Sequence, residues 1–188
     1  MKTRLARTVG DPRALCLYQW LGERVVRGLL AEPRGYDVQV ACTPDGAVEA
    51  VRRWLPHTDG LFPQGDGDLG ARMEHAVRRS FSLGYRASVL VGTDCAAVDH
   101  GRVTEALAAL RDHDAVLGPA RDGGYYLLGL SRPLAVFQGP AWSSAAVAED
   151  TRALLRCAGA RWAELATETD VDTEADLEGL RALADFPR

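Results

Sequence analysis

Ser88-Val89-Leu90-Val91 runs straight into Gly92-Thr93-Asp94-Cys95 near the middle of the chain, and few folds accommodate that junction. A short apolar, β-branched stretch of this kind reads as a buried strand. One glycine and one small polar residue later comes an acid. Open α/β sheets bind ligands in the crevice just beyond the carboxyl ends of their strands. An aspartate placed there can hold a divalent cation, and the cation a diphosphate. The alternative is that Asp94 caps the helix that follows, and spacing alone leaves both readings open.

The rest of the chain alternates strands with helices. Asp11-Pro12 opens a helical pattern carried by Leu15, Trp20-Leu21, Val25-Val26 and Leu29-Leu30, with Asp11 as N-cap and a stop at Pro33-Arg34-Gly35. Residues 1–10 read as a polar, basic lead-in. Residues 37–41 predict a strand and 47–55 a short helix. Residues 56–70, rich in Gly, Pro and Asp, predict loop. A helix through Leu69, Met73, Ala76 and Val77 precedes the central strand, and one over 102–111 follows it. Residues 115–117 and 125–130 predict further strands, the second apolar throughout and so buried on both faces. A helix capped by Ser143, a strand over 161–165 and a last helix over 174–184 complete the chain. This alternation predicts one α/β domain: a layered, Rossmann-like sheet of mostly parallel strands flanked by helices.

The 188 residues suit a single sizeable core. A net charge of −4 argues against a nucleic-acid partner, whose phosphates demand a basic footprint. No apolar run approaches the ~20 residues needed to span a bilayer, and nothing near Met1 resembles a signal peptide. Cys16, Cys42, Cys95 and Cys157 lack metal-ligand spacing and read as small hydrophobes in a reducing cytoplasm.

Lys2-Thr3-Arg4-Leu5-Ala6, Gly67-Asp68-Leu69-Gly70, Gly92-Thr93-Asp94-Cys95, Asp122-Gly123-Gly124-Tyr125-Tyr126 and Asp170-Val171-Asp172-Thr173 occur here in one order. In that order they resemble the bacterial DUF2064 family, classed with the glycosyltransferases of the nucleotide-diphosphosugar transferase superfamily (GT-A fold). The resemblance covers almost the whole chain. It implies a metal-dependent transfer of a sugar from a nucleotide-diphosphate sugar donor to a small-molecule acceptor, with Mg²⁺ or Mn²⁺ as cofactor.

Each site residue then has an implied role beside a plainer one. Lys2 and Arg4 sit where the family directs cations at the diphosphate; otherwise they are a solvated terminus. Gln64 and Gly65 open a glycine-rich loop that lets backbone approach nucleotide or sugar, whereas Asp68 equally suits an N-cap. Gly92 and Thr93 lead to Asp94, a metal ligand that would be joined by Asp172 and Asp170 from late in the chain; the alternative is capping of the last helix, with Asp176. Asp122, with Gly123 and Gly124, would bind sugar hydroxyls or act as general base, or else close a tight turn on its own backbone. Trp142 and Ser143 match the family's late Trp-Ser-small motif, as a stacking surface or as a staple and cap.

Two departures stand out. Ala96 follows Cys95 where relatives carry proline. Relatives also place a strand and a Gly/Pro-rich loop ahead of the Lys-Thr-Arg-Leu motif with which this chain starts. The expectation is a start set too far downstream, because a vacant central strand position strands the backbone groups of both neighbours. The incomplete sheet edge is also a surface that a second copy can cover, giving a homo-oligomer. The competing functions are a nucleotidyltransferase using CTP or GTP and a catalytically inactive nucleotide-binding relative.

Overall fold

The structure, a computed structural model, describes residues 3–139, 142 and 144–187, with the side chains of Thr3 and Arg4 excepted. Helices α1 (Thr3–Val9) and α2 (Asp11–Leu29) come first. They are broken at Gly10, whose φ of 80° belongs to the left-handed region that favours glycine. Gly10, not Asp11, is therefore the cap residue of α2, and Asp11 lies in its first turn. Within the lead-in expected over residues 1–10, Thr3–Val9 is helical, and Leu5 is its buried anchor.

Strand β1 (Gln39–Cys42) pairs in parallel with β2 (Gly60–Pro63), with α3 (Val48–Trp54) between them. The β2 strand lies inside the stretch read as loop; Gly and Pro at its ends disguise it, and pairing to β1 overrides weak local propensity. Helix α4 (Leu69–Ser82) begins at the Asp68 cap, whose carboxylate accepts the Ala71 N–H at 2.9 Å. Strand β3 (Ser88–Val91) has the expected bounds. Then follow α5 (His100–Ala109), β4 (Ala115–Pro119), β5 (Tyr125–Leu130), α6 (Val147–Cys157) and β6 (Trp162–Glu164). The last expected helix is a 3₁₀ segment, Ala175–Leu180. The Ser143 cap lies outside the described residues, and α6 begins after Ala146 with no side-chain cap.

The sheet corrects the expectation of mostly parallel strands. β3, β5, β4 and β6 form one sheet in that order, separate from β1–β2 among the described residues. β5 runs antiparallel to both β3 and β4, while β6 is parallel to β4. The physical reason is the connection: only residues 120–124 join β4 to β5, far too few for the crossover that parallel neighbours require. The fold is thus mixed α/β, with β3, β4 and β6 running one way and ending on the same side as the start of β5.

Alternation along β4 separates two cores. Ala115 and Leu117 join Val77, Leu128, Leu130, Phe137, Ala148 and Leu155 on one face. Val116 joins Val25, Leu29, Val103, Ala106 and Leu127 on the other. A third cluster packs Leu5, Leu17 and Trp20 around Val171 and Leu177. The C-terminal segment closes over α2, with Phe186 edge-on to Trp20 at 5.1 Å. Among the described residues no helix is long and apolar enough to cross a membrane.

Two expected outcomes follow from this packing. A Cβ added at Gly118 would stand 2.6 Å from Cζ of the fully buried Tyr126. Gly118→Ala is therefore expected to cost about 1–3 kcal/mol in urea denaturation. At the entrance to β1, Arg34 pairs with Asp59, and the Val38 N–H donates to the same carboxylate. These contacts, the Arg34 hydrogen bond foremost, hold Asp59 below the usual carboxylate range. The unfolded chain then binds more protons in acid, so this contribution is complete above the ordinary value of about 4 and lost as pH falls through the lowered native value. Denaturation midpoints measured from pH 7 to pH 2 should fall less steeply for Asp59→Asn.

Candidate active site

The site is built at the end of the sheet where β3, β4 and β6 finish. After β6 the chain does not leave the sheet. The Leu165 N–H donates to Leu117 O at 2.9 Å, Glu168 N–H to Pro119 O at 3.1 Å, and Arg121 N–H back to Glu168 O at 2.9 Å. The chain then crosses to β3, where Val171 N–H donates to the Asp94 carbonyl at 2.8 Å. The backbone of the Asp170–Asp172 turn is thereby fastened to the backbone of Asp94. Leu5 of α1 and Ala96 pack in the same cluster as Val171, which sets the start of α1 beside this junction.

The bland reading of Asp94 as a helix cap does not hold. The cap of α5 is Asp99, whose carboxylate accepts the Arg102 N–H at 2.9 Å. Asp94 instead folds back over Gly92, where any Cβ would collide with its Oδ1. Gly92 is tied to β5 through its N–H to Tyr126 O at 3.1 Å. Asp94, Asp170 and Asp172 are all half-buried. Their common neighbourhood is felt by Cys95: burial pushes its thiol up to about 12, and the negative charges of Asp170, Glu168 and Asp94 push the same way. Cys95 is thus a protonated, inert thiol beside an acidic locus.

Among the described residues no group of three His, Cys, Asp or Glu forms a ready metal cage. The donor chemistry still suits Mg²⁺ or Mn²⁺, which take one or two carboxylates and complete their shell with water and substrate phosphate. Asp176 serves this turn structurally: its Oδ2 accepts Thr173 N–H at 2.7 Å, Thr173 Oγ1–H at 2.8 Å and Asp172 N–H at 3.1 Å. Neither Asp172 nor Thr173 caps the last helical segment, whose cap position is Glu174 with no side-chain cap bond; Asp176 reaches back from inside it to fasten the turn.

Asp122 stands between β4 and β5, exposed at the same end of the sheet. Its Oδ1 accepts Gly124 N–H at 2.9 Å, which is the tight turn weighed above, while Oδ2 makes no hydrogen bond among the described residues. Gly123, at φ 91°, lies so close to residue 145 that a Cβ would overlap the Ala145 carbonyl. Its own carbonyl accepts Ala148 N–H at 2.9 Å. The close approach Gly123 permits is to the segment that enters α6.

The glycine-rich loop before α4 has a comparable explanation. Gln64 is fixed by its N–H to Cys42 O at 2.8 Å, and its carbonyl lies 2.9 Å from Nδ1 of His75. Gly65 has φ 81°. Gly70 is buried where a Cβ would overlap the Phe137 carbonyl and stand 2.7 Å from Nε1 of Trp142, so that carbonyl and the indole both pack on the first turn of α4. Trp142 is half-buried there as a packing residue. Lys2 and Ser143 lie outside the described residues; the backbone of Arg4 is in α1. The structure thus gathers Asp94, Asp170, Asp172 and Asp122 with Gly92, Thr93, Gly123 and Gly124 at one end of the four-stranded sheet. Gln64, Gly65 and Asp68 lie where β2 leads into α4.

Sequence reasoning passed over Glu168, Arg121 and Thr167. Glu168 holds Arg102 at 2.6 Å while its backbone extends the β4 pairing. No periodicity marks these residues; the one available signal is that Arg121 adjoins Asp122.

The Trp142 contact yields a direct test. Gly70→Ala is expected to push apart the Phe137 carbonyl and the indole, changing near-ultraviolet circular dichroism and lowering stability by about 1–3 kcal/mol.

Comparison with known proteins bears on the fold and the family. A solved structure described as a "putative nucleotide-diphospho-sugar transferase" from Desulfovibrio desulfuricans G20 superposes with a TM-score of 0.87 at 34% identity, covering 100% of this chain and 84% of that one. No curated protein matches. The family model for "Uncharacterized protein conserved in bacteria (DUF2064)" matches residues 28–144. With more than half its length matched by that model, the chain belongs to the DUF2064 family.

Proposed function

We propose that this protein is a metal-dependent glycosyltransferase that moves a sugar from a nucleotide-diphosphate sugar to a small-molecule acceptor. The observation that carries the reading is the 2.8 Å hydrogen bond from Val171 N–H to Asp94 O, which joins two acid-bearing turns from distant parts of the chain. The name given to the similar solved structure supports the same class of donor. The cysteines, which are free thiols, suit the reducing cytoplasm expected from sequence.

In this reading Asp94 and Asp172, with Asp170, hold Mg²⁺ or Mn²⁺ against the donor diphosphate. The bound ion supplies stabilisation of the negative charge that develops on the leaving group. Asp122 receives the acceptor's hydroxyl proton on Oδ2, while Gly124 N–H keeps the carboxylate in place through Oδ1. The hydroxyl oxygen bonds to the anomeric carbon as the bond to the diphosphate breaks, and the electron pair leaves with the diphosphate.

The test is a thermal-shift titration of UDP-, GDP-, ADP- and CDP-sugars, with CTP and GTP alongside, each with and without Mn²⁺. A donor at a hundredfold excess over its Kd is expected to raise Tm by roughly 5–10 °C. The metal-dependent part should vanish in Asp94→Asn. A response to a triphosphate alone would replace this reading with a nucleotidyltransferase, and no response to any sugar nucleotide would remove it.

A further inference from the structure

Beside Gly123 a groove of about 420 Å³ opens between the end of β4, the start of α6 and Thr167. That volume falls in the range of small-molecule clefts, about 300–1,000 Å³. Its charged walls are Arg121, Glu149 and Arg152. Two of these are already spent. Arg152 is held two-pronged by Glu164, at 2.8 and 2.9 Å, and reaches Glu149 at 3.4 Å. Glu149 turns its other oxygen to Arg156 at 2.9 Å. Arg152 keeps the Glu164 carboxyl below the usual range, so this network is fully ionised and self-compensated at neutral pH.

Arg121 is different. Among the described residues no carboxylate pairs with its guanidinium, and its side chain is exposed at the groove. Its backbone is anchored by the N–H bond to Glu168 O, so the cation issues from a fixed point. The next residue is Asp122. Asp122 does not itself line the groove; a planar guanidinium offers paired N–H donors matched to a carboxylate or phosphate, and a ligand gripped there has to extend past Gly123 to bring a hydroxyl to that acid.

We propose that this groove is the acceptor subsite, and that the acceptor is a small hydroxylated molecule bearing a carboxylate or phosphate group gripped by Arg121. The assignment rests on the transferase reading of the site. During transfer the acceptor oxygen bonds to the anomeric carbon, its proton passes to Asp122, and the diphosphate leaves with the electron pair of the broken bond.

The experiment is a ¹⁵N-resolved NMR titration of the full chain with glycerol 3-phosphate and glycerate, with neutral glycerol as control. Both anions should shift the Gly123, Ala148 and Thr167 amides, and glycerol should not. Arg121→Ala should weaken the anions' apparent Kd at least tenfold, and Arg121→Lys should recover part of the loss. Amides that stay unmoved, or that move equally in Arg121→Ala with an unchanged Tm, would overturn the proposal. A separate titration with sugar nucleotides and Mn²⁺ reads the Thr93 and Asp94 amides. If those fail to respond while the anion effect persists, the transferase reading falls and the acceptor assignment with it, leaving a plain anion site.

Discussion

The backbone pairing of residues 165–171 is what the rest of this site depends on. A strand as short as β6 has little hold of its own, yet the chain beyond it continues to bond to Leu117, Pro119 and Arg121 before reaching Asp94. Each such bond is worth only about 1 kcal/mol net. Their importance is positional, because main-chain bonds fix where a turn sits more tightly than side-chain contacts between long flexible groups. Val171, buried with Leu5 and Leu177, then secures the crossing by packing as well.

This explains which parts of the molecule can be read from residues alone. The bounds of β3, the apolar run of β5 and the Asp68 cap all come from local rules: a buried apolar stretch, then a carboxylate placed to accept a free helical N–H. The motif order was also legible, and it led to the family. The β2 strand was not, since Gly60 and Pro63 are poor strand residues that belong to the sheet only because β1 lies beside them. Helix α1 is two turns long, too short to show a period, and its buried Leu5 packs with a residue more than 160 positions away. The antiparallel course of β5 was available in principle from the short 120–124 connection, but the alternating pattern of strands and helices argued louder for a parallel sheet.

The candidate acids show the same division. That Asp94 stands after a strand is a local fact; that Asp99 and not Asp94 takes the capping role depends on where α5 starts. The glycines around the site were read as room for a ligand. At Gly70, Gly92 and Gly123 the space is taken by the protein itself: a carbonyl with an indole, a carboxylate, and a second carbonyl. A glycine motif thus signals close approach without saying what approaches.

The contact between Gly70 and Trp142 has a consequence for anyone who wishes to re-engineer this protein. The glycine belongs to the first turn of α4, and the indole to the connection that precedes α6. These two surface segments are joined as a notch is joined to the peg that fills it. Grafting either one from a relative, to alter what the protein accepts, would leave an empty notch or a peg with no seat. They form a single exchangeable unit and have to be transplanted together.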